Sequence, residues 1–386
     1  MLQASLGLGL TSFGGPVAHL GYFERAYVRQ RQWLSHEDYG GLVALCQTLP
    51  GPASSQLGFL IGLHYAGWAG ALAAWLGFTL PSALLLYGAA TIAARLQSPL
   101  AQAGLQGLKL VAVAVVAQAV WTMARRFCTD RLTAALALTG ASLLLVVPGS
   151  ATQLIVLGMG AVGGTALCQG ERAPRMTLAF SVGVRTAVAA LSLFLLLLVG
   201  LPILASHFPH TLAGLADIFF RSGALVFGGG HVVLPLLRDA LVPGGWISDE
   251  RFLTGYGLAQ AVPGPLFTFA AYLGAANSYS LSPALGSLVA VVFIFAPGLL
   301  LATAGVVLWS RLVRSENLRA ALVGVNAAVV GILAAALYDP VWSSAVHDGT
   351  DAAIAVIGLM LLNRWAVAPI AVVTLCVTLS WVRTLL

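Results

Sequence analysis

The sequence predicts an all-α, polytopic integral membrane protein made of two related halves, and three observations carry that prediction. Of its 386 residues 59% are hydrophobic and 8% charged, against roughly a quarter charged in an average soluble domain. Neither Tyr39 to Ala94 nor Phe252 to Ser310 contains an Asp, Glu, Lys or Arg, and each stretch holds two crossings at ~20 residues apiece. A set of motifs also recurs about 213 residues later. Phe13-Gly14-Gly15, Trp33-Leu34-Ser35 and Gln47-Thr48-Leu49-Pro50-Gly51-Pro52 return as Phe227-Gly228-Gly229, Trp246-Ile247-Ser248 and Gln260-Ala261-Val262-Pro263-Gly264-Pro265.

In chain order the apolar runs give about thirteen candidate transmembrane segments. The first, 2–22, carries Phe-Gly-Gly. Trp33 then anchors at the interface and Ser35 caps the next helix, with Glu37 in its first turn. Segment 40–63 holds the first Pro-Gly-Pro, 67–94 holds Pro81 and 104–124 holds Gly107. Segments 132–147, 152–168 and 178–204 form a spacer. The second copy runs through 211–236, 252–274, 281–308 and 320–338, where Pro297 and Gly324 match Pro81 and Gly107. Segments 352–363 and 366–384 close the chain. This divides it into a first repeat (1–126), linking segments (127–210), a second repeat (211–340) and C-terminal segments (341–386).

Three spacer segments, an odd number, imply that the second repeat is inserted upside down. Loop charges agree. Arg125, Arg126 and Arg131 follow the fourth segment, whereas Asp339, Asp348 and Asp351 follow its counterpart, the reversal that inverted repeats require under the positive-inside rule. If the Pro-Gly-Pro segments were re-entrant, the loop 309–319, with Arg311, Arg314 and Arg319, would lie outside against its charge. Full but broken crossings are therefore the expectation.

Pro-Gly-Pro breaks a helix, because proline lacks an N–H and glycine tolerates unusual backbone angles. In hydrocarbon the orphaned N–H and C=O groups need protein, water or substrate as partners. The fragment starts Ala53-Ser54-Ser55 and Leu266-Phe267-Thr268 combine a helix N-terminus with hydroxyls at Ser54, Ser55 and Thr268, which suits an oxyanion. Gly14, Gly15, Gly228, Gly229 and Gly230 let a backbone or ligand approach closely. Lys109, Arg185 and Arg221, the last near Asp217, are the cations within apolar segments. Lys109 and Arg221 are the set expected to balance an anion's charge; Arg185 and Arg221 also lie near enough to helix ends to snorkel. Glu24-Arg25 and Arg238-Asp239 recur as an acid–base couple in reversed order. His19, His64 and His231 read as hydrogen-bonded packing residues.

Several classes are argued against. The net charge of +6 sits in short loops, so no solvated basic patch is available for nucleic acid. Cys46, Cys128, Cys168 and Cys376 show no metal or disulfide spacing. No HExxH, GxSxG or P-loop occurs, so neither an enzyme nor a cofactor is implied. Met1 opens directly into an apolar run, which speaks against a cleaved signal peptide.

At FGGP, WLS and QTLPGPASSQLG in the first half, and FGGGHVVLPLL, WIS and AQAVPGPLFTFAAYLGA in the second, the chain resembles the chromate ion transporter family in its long, two-domain form. The resemblance covers nearly the whole chain. It implies an inner-membrane, multi-pass carrier that exports chromate, a tetrahedral dianion, and so confers chromate resistance. The family's motif positions fall on Phe13, Gly14, Gly15, Pro16, Trp33, Gln47, Pro50, Gly51 and Pro52, then on Phe227, Gly228, Gly229, Gly230, Trp246, Gln260, Pro263, Gly264 and Pro265. Gln47 and Gln260 thereby join the binding candidates. Two departures stand out: Gly7 occupies a commonly basic position equivalent to Arg221, and Arg238 replaces a usual acid. Sulfate and related oxyanions share chromate's shape and charge, so a carrier or channel for one of them is the alternative. The lipid bilayer is the expected surrounding, and a homodimer is compatible with the sequence.

Overall fold

Helix follows helix because, in hydrocarbon, a helix satisfies its own backbone polar groups. The computed structural model describes residues 1–13, 15–93, 99–168, 178, 180, 182–227, 229–279, 281–312 and 315–385, and no strand occurs among them. The helices are α1 (Leu2–Thr11), α2 (Gly15–Phe23), α3 (His36–Thr48), α4 (Ala53–Ala93), α5 (Pro99–Phe127), α6 (Arg131–Val146), α7 (Ser150–Leu167), α8 (Val184–His207), α9 (Leu212–Ala224), α10 (Val233–Leu241), α11 (Asp249–Ala261), α12 (Phe269–Ala275), α13 (Pro283–Leu312), α14 (Glu316–Ala336), α15 (Ser343–Ala345), α16 (Gly349–Arg364) and α17 (Pro369–Leu385). Glu24–Gln30 and Leu337–Trp342 are π-helical, while Gly230–Val232 and Leu266–Thr268 are 3₁₀ turns.

Among the described residues five helical stretches are long and apolar enough to cross a membrane: Ala53–Ile92, Gln102–Phe127, Val184–His207, Pro283–Trp309 and Glu316–Ala345. Shorter apolar helices stand at Arg131–Val146, Ala151–Leu167, Leu266–Ala275 and Pro369–Thr384. The all-α membrane class is met, but the expected count of about thirteen spans is not confirmed, because several predicted segments are interrupted. Segment 2–22 becomes α1 and α2, and segment 40–63 is split by its Pro-Gly-Pro. Ala66 and Gly67 are non-helical, so α4 bends where the second predicted segment gives way to the third. The loop arginines Arg95, Arg172, Arg175 and Arg314 lie outside the described residues.

The chain forms two compact units. One comprises Met1–Tyr87, Glu171–Val233 and Pro263–Glu316; the other comprises Gly88–Gly170, Leu234–Val262 and Asn317–Leu386. Each repeat contributes chain to both. The core of the first unit gathers Phe23, Tyr27, Leu42, Leu45, Leu57, Leu60 and Phe78. In the second unit helices meet through small residues. A Cβ at Gly107 would lie 2.6 Å from Val377 Cα, and one at Gly160 would lie 2.7 Å from the Gly324 carbonyl oxygen. Lipid tails are as apolar as the helices, so close backbone approach replaces hydrophobic burial as the source of packing energy.

Side chains cap several helix starts, Ser35 among them as the sequence predicts. Ser35 Oγ accepts from the Asp38 N–H at 3.0 Å and Ser248 Oγ from the Arg251 N–H at 3.3 Å. Asp130 makes a reciprocal capping box on α6, accepting at 2.8 Å from the N–H groups of Leu132 and Thr133, whose hydroxyl faces the Asp130 N–H at 3.3 Å. The Thr133 N–H bond is the main cause holding the Asp130 carboxyl below its ordinary value of 3.8. A carboxyl depressed on folding contributes stability that is fully present above its unfolded value and disappears as pH falls through the folded one. In thermal unfolding of the purified protein, Asp130→Ala is expected to melt below wild type at pH 7, with the gap closing on acidification below pH 3.8. A gap that stays constant with pH would show that the cap does not titrate.

Candidate functional site

Both Pro-Gly-Pro breaks lie at the end of one helix and the start of the next. α3 ends at Thr48, and Gln56 makes the first bond of α4, its N–H donating to the Pro52 carbonyl at 2.9 Å. The N–H groups of Ala53, Ser54 and Ser55 therefore have no intrahelical acceptor. α11 ends at Ala261, and the second break leads through the turn Leu266–Thr268 into α12.

The two breaks are tied to each other reciprocally. The Gly51 N–H donates to the Val226 carbonyl at 2.8 Å, and the Gly264 N–H donates to the Ser12 carbonyl at 2.9 Å. Ser12 and Val226 are equivalent, each preceding Phe-Gly-Gly in its repeat, so each break bonds the residue in front of the other repeat's glycines. Gly51 and Gly264 have φ of +113° and +107°, angles that a side chain resists. Space is closed as well. A Cβ at Gly51 would lie 2.8 Å from Gly298 Cα, and one at Gly264 would lie 2.8 Å from Ser82 Oγ. Ser82 and Gly298 follow the matched Pro81 and Pro297.

Equivalent contacts extend outward from the breaks. Gly9 packs on the Phe78 carbonyl and Gly223 on the Ile294 carbonyl, while Gly62 faces Gly70 as Gly274 faces Gly286. The repeat in the sequence is thus a repeat of contacts.

The first break carries more polar groups. Ser54, Ser55 and Gln56 are 3%, 2% and 0% exposed. Ser54 Oγ lies 3.4 Å from Nδ1 of His19, which is held edge-on to Phe78 at 5.3 Å. The Gln56 amide donates to the carbonyls of Pro50 at 2.8 Å and Gly298 at 3.0 Å. Nε2 of His19, Oγ of Ser12, Oγ of Ser55 and Oγ1 of Thr79 are buried without a partner among the described residues. Unpaired polar atoms are costly when buried, and these four come from the end of α1, from α2 and from α4. At the second break the Thr268 hydroxyl donates to its own turn at Pro265, at 2.7 Å, and the neighbours Phe267 and Phe269 are apolar.

The sequence-predicted residues divide accordingly. Pro50, Gly51, Pro52, Ser54, Ser55, Pro263, Gly264, Pro265 and Thr268 belong to the two breaks within the first unit. Gly15 and Gly229 belong to the same unit, and a Cβ at Gly15 would lie 3.6 Å from His231 Nε2. Gln47 is half-buried near the end of α3. Gly14 and Gly228 lie outside the described residues. Gln260 belongs to the second unit, half-buried at the end of α11. Lys109 also belongs there, with its ammonium 3.0 Å from Glu250. Arg221 is held by Asp217 one turn away, its Nε 2.7 Å from the carboxylate. Arg185 is exposed. The expected counter-charges therefore arrive already paired, and the acid–base couples are re-partnered too. Glu24 pairs with Arg29 at 3.0 Å, and Arg238 pairs with Asp249 at 2.7 Å more closely than with Asp239 at 4.0 Å. The sequence reads His19 as a hydrogen-bonded packing residue, and its contacts with Ser54 and Phe78 agree; Ser12, Gln56 and Thr79 carry no motif that singles them out.

The chromate transporter family matches residues 1–165 and 213–381, which include both copies of the motif set. The chain belongs to that family. A chromate transport protein of Pseudomonas aeruginosa is 28% identical over 342 residues, covering 86% of this chain and 79% of that protein. A probable chromate transport protein of Synechococcus elongatus is 27% identical over 348 residues, covering 87% and 83%. An uncharacterised Bacillus subtilis transporter is 29% identical over 141 residues, which are 35% of this chain but 77% of the relative, so that relative is about half as long. No solved structure matches the chain. With its apolar helices, this member of the chromate transporter family is a multi-pass membrane protein.

The close packing at the breaks makes a test. Gly51→Ala and Gly264→Ala are each expected to abolish transport, because a Cβ meets both a positive φ and a filled space. Gly200→Leu, where nothing lies within 4 Å, should leave flux unchanged. Wild-type flux from both break variants would remove the breaks from the mechanism.

Proposed function

We propose that this chain is a secondary transporter of chromate that binds the oxyanion at the paired helix breaks and exports it across the inner membrane, conferring chromate resistance. The observation that carries the reading is the set of buried polar atoms in the first unit that have no partner among the described residues. The hydroxyls of Ser12, Ser55 and Thr79, the His19 imidazole and the N–H groups of Ala53, Ser54 and Ser55 suit a small acceptor-rich anion. Because Lys109 and Arg221 already have carboxylate partners, the binding is assigned to neutral dipoles, with the start of α4 supplying the positive end of its helix.

Transport needs a site that opens to either side. Reciprocal bonds between equivalent residues are those of a two-fold relation, since each copy gives what it receives. The odd spacer and the reversed loop charges support an axis in the membrane plane, with the breaks as full interrupted crossings near its middle. Rocking of one repeat against the other about that axis would expose the site alternately. The names of the relatives support chromate as the substrate.

The deciding experiment is flux of radiolabelled chromate and sulfate into proteoliposomes, with and without imposed pH and voltage gradients. Saturable chromate flux is expected, with sulfate a poor competitor. Sulfate moving as fast as chromate would sink the chromate assignment, and flux that never saturates would favour a channel. Removing one donor to a charged acceptor costs about 1.5–3 kcal/mol, so Ser55→Ala and His19→Leu should each weaken half-saturation by about tenfold or more. Unchanged half-saturation in both variants would move the site elsewhere.

A further inference from the structure

α17 ends on Ser380-Trp381-Val382-Arg383-Thr384, an aromatic and a cation at the close of an apolar helix, which marks a membrane–water boundary. There it meets the starts of α5 and α16 around a cavity of about 330 Å³, lined by Gln106, His347, Asp351, Ser380, Arg383 and Thr384. None of these residues belongs to the break site. Trp381 is 39% exposed and lies against Gly104 of α5, whose Cβ would be 3.0 Å from the indole nitrogen.

The carboxylates at this cavity are engaged, though each oxygen can accept more than once. Arg383 bridges Asp351 at 2.8 Å and Asp348 at 2.5 Å. Asp351 also receives the His347 N–H at 3.1 Å and the Gln106 amide at 3.3 Å, with His347 Nδ1 at 3.4 Å. The Asp348 carboxylate caps α16, accepting from Thr350 and Asp351. A donor is left as well: Ser380 is 5% exposed, lines the cavity, and its hydroxyl has no partner among the described residues. Beside it a guanidinium with five N–H groups makes contacts that do not use them all. Two carboxylates face one guanidinium, which opposes a bare anion and favours a ligand carrying its own cation. Asp348, bonded to the lining residue Arg383, is 43% exposed.

We propose that this cavity binds the headgroup of a zwitterionic phospholipid bearing a primary ammonium. The phosphate takes the Ser380 hydroxyl and the unspent Arg383 N–H groups, and the ammonium lies over Asp348. The acyl chains then run along the apolar face of α17, and the lipid pins α5, α16 and α17 together at the interface.

The test titrates the full-length protein in detergent with dihexanoylphosphatidylethanolamine and follows the melting temperature. A saturable rise is expected, with half-saturation weakened at least about fivefold in Ser380→Ala and in Arg383→Gln, as the loss of a hydrogen bond to a charged group requires. Should Arg383→Gln fail to fold, Ser380→Ala, which removes only a hydroxyl, decides. No saturable rise, or equal half-saturation in Ser380→Ala, overturns the site. An equal rise with inorganic phosphate overturns the lipid, and an equal rise with dihexanoylphosphatidylcholine overturns the role of the ammonium. Chromate flux is not part of the readout, so this outcome stands apart from that of the oxyanion reading.

Discussion

The structure of the first unit depends on the backbone groups that a broken helix leaves without partners. A chain that interrupts its helices in hydrocarbon must return each freed N–H and C=O to a partner. Here the break of one repeat and the helix end of the other solve the problem together. Gly51 gives its N–H to Val226, and Gly264 gives its own to Ser12. These two bonds explain why a glycine lies between the prolines, since only a residue without Cβ can hold φ near these values and lie against Gly298 or Ser82. They explain equally why Phe-Gly-Gly and Pro-Gly-Pro travel together in the sequence.

With the N–H groups of Gly51 and Gly264 bonded to the opposite repeat, the two breaks differ in the side chains that follow them. After the first come Ser54, Ser55 and Gln56, with His19 alongside. After the second come Phe267, Thr268 and Phe269, where the single hydroxyl is spent on its own turn. For the proposed oxyanion site, neutral donors have a physical advantage in a low-dielectric surrounding. A buried unpaired cation would be expensive with the site empty, whereas hydroxyls and N–H groups cost less without a guest and still sum to strong binding in its presence.

The fold class was legible because it follows from composition and length. Apolar runs, charge-free stretches and caps at Ser35 and Ser248 are local signals. The matched pairs were legible as well, down to Pro81 with Pro297, since equivalent contacts constrain equivalent residues. The state of the charges was not. Nothing near Lys109 in the chain points to Glu250, which lies far away in sequence, and the pairing appears only when α5 meets the start of α11. The surroundings of His19 were hidden for the same reason. Its partner Ser54 is on another helix, and a histidine's role is set by what its two nitrogens face.

Fusion of the halves bears on this asymmetry. The Bacillus subtilis relative is about half the length of this chain, so the unit that recurs here also exists by itself. If two identical half-length chains met through such a two-fold, both breaks would carry the same residues, and any gain at one would be imposed on the other. A single polypeptide lifts that constraint. The backbone exchange needs only Gly51, Gly264 and the carbonyls of Ser12 and Val226, and these keep their symmetry. The residues after the prolines are outside that requirement. They were able to diverge, one break toward polar recognition and the other toward aromatic packing, without loosening the bonds that hold the two copies together.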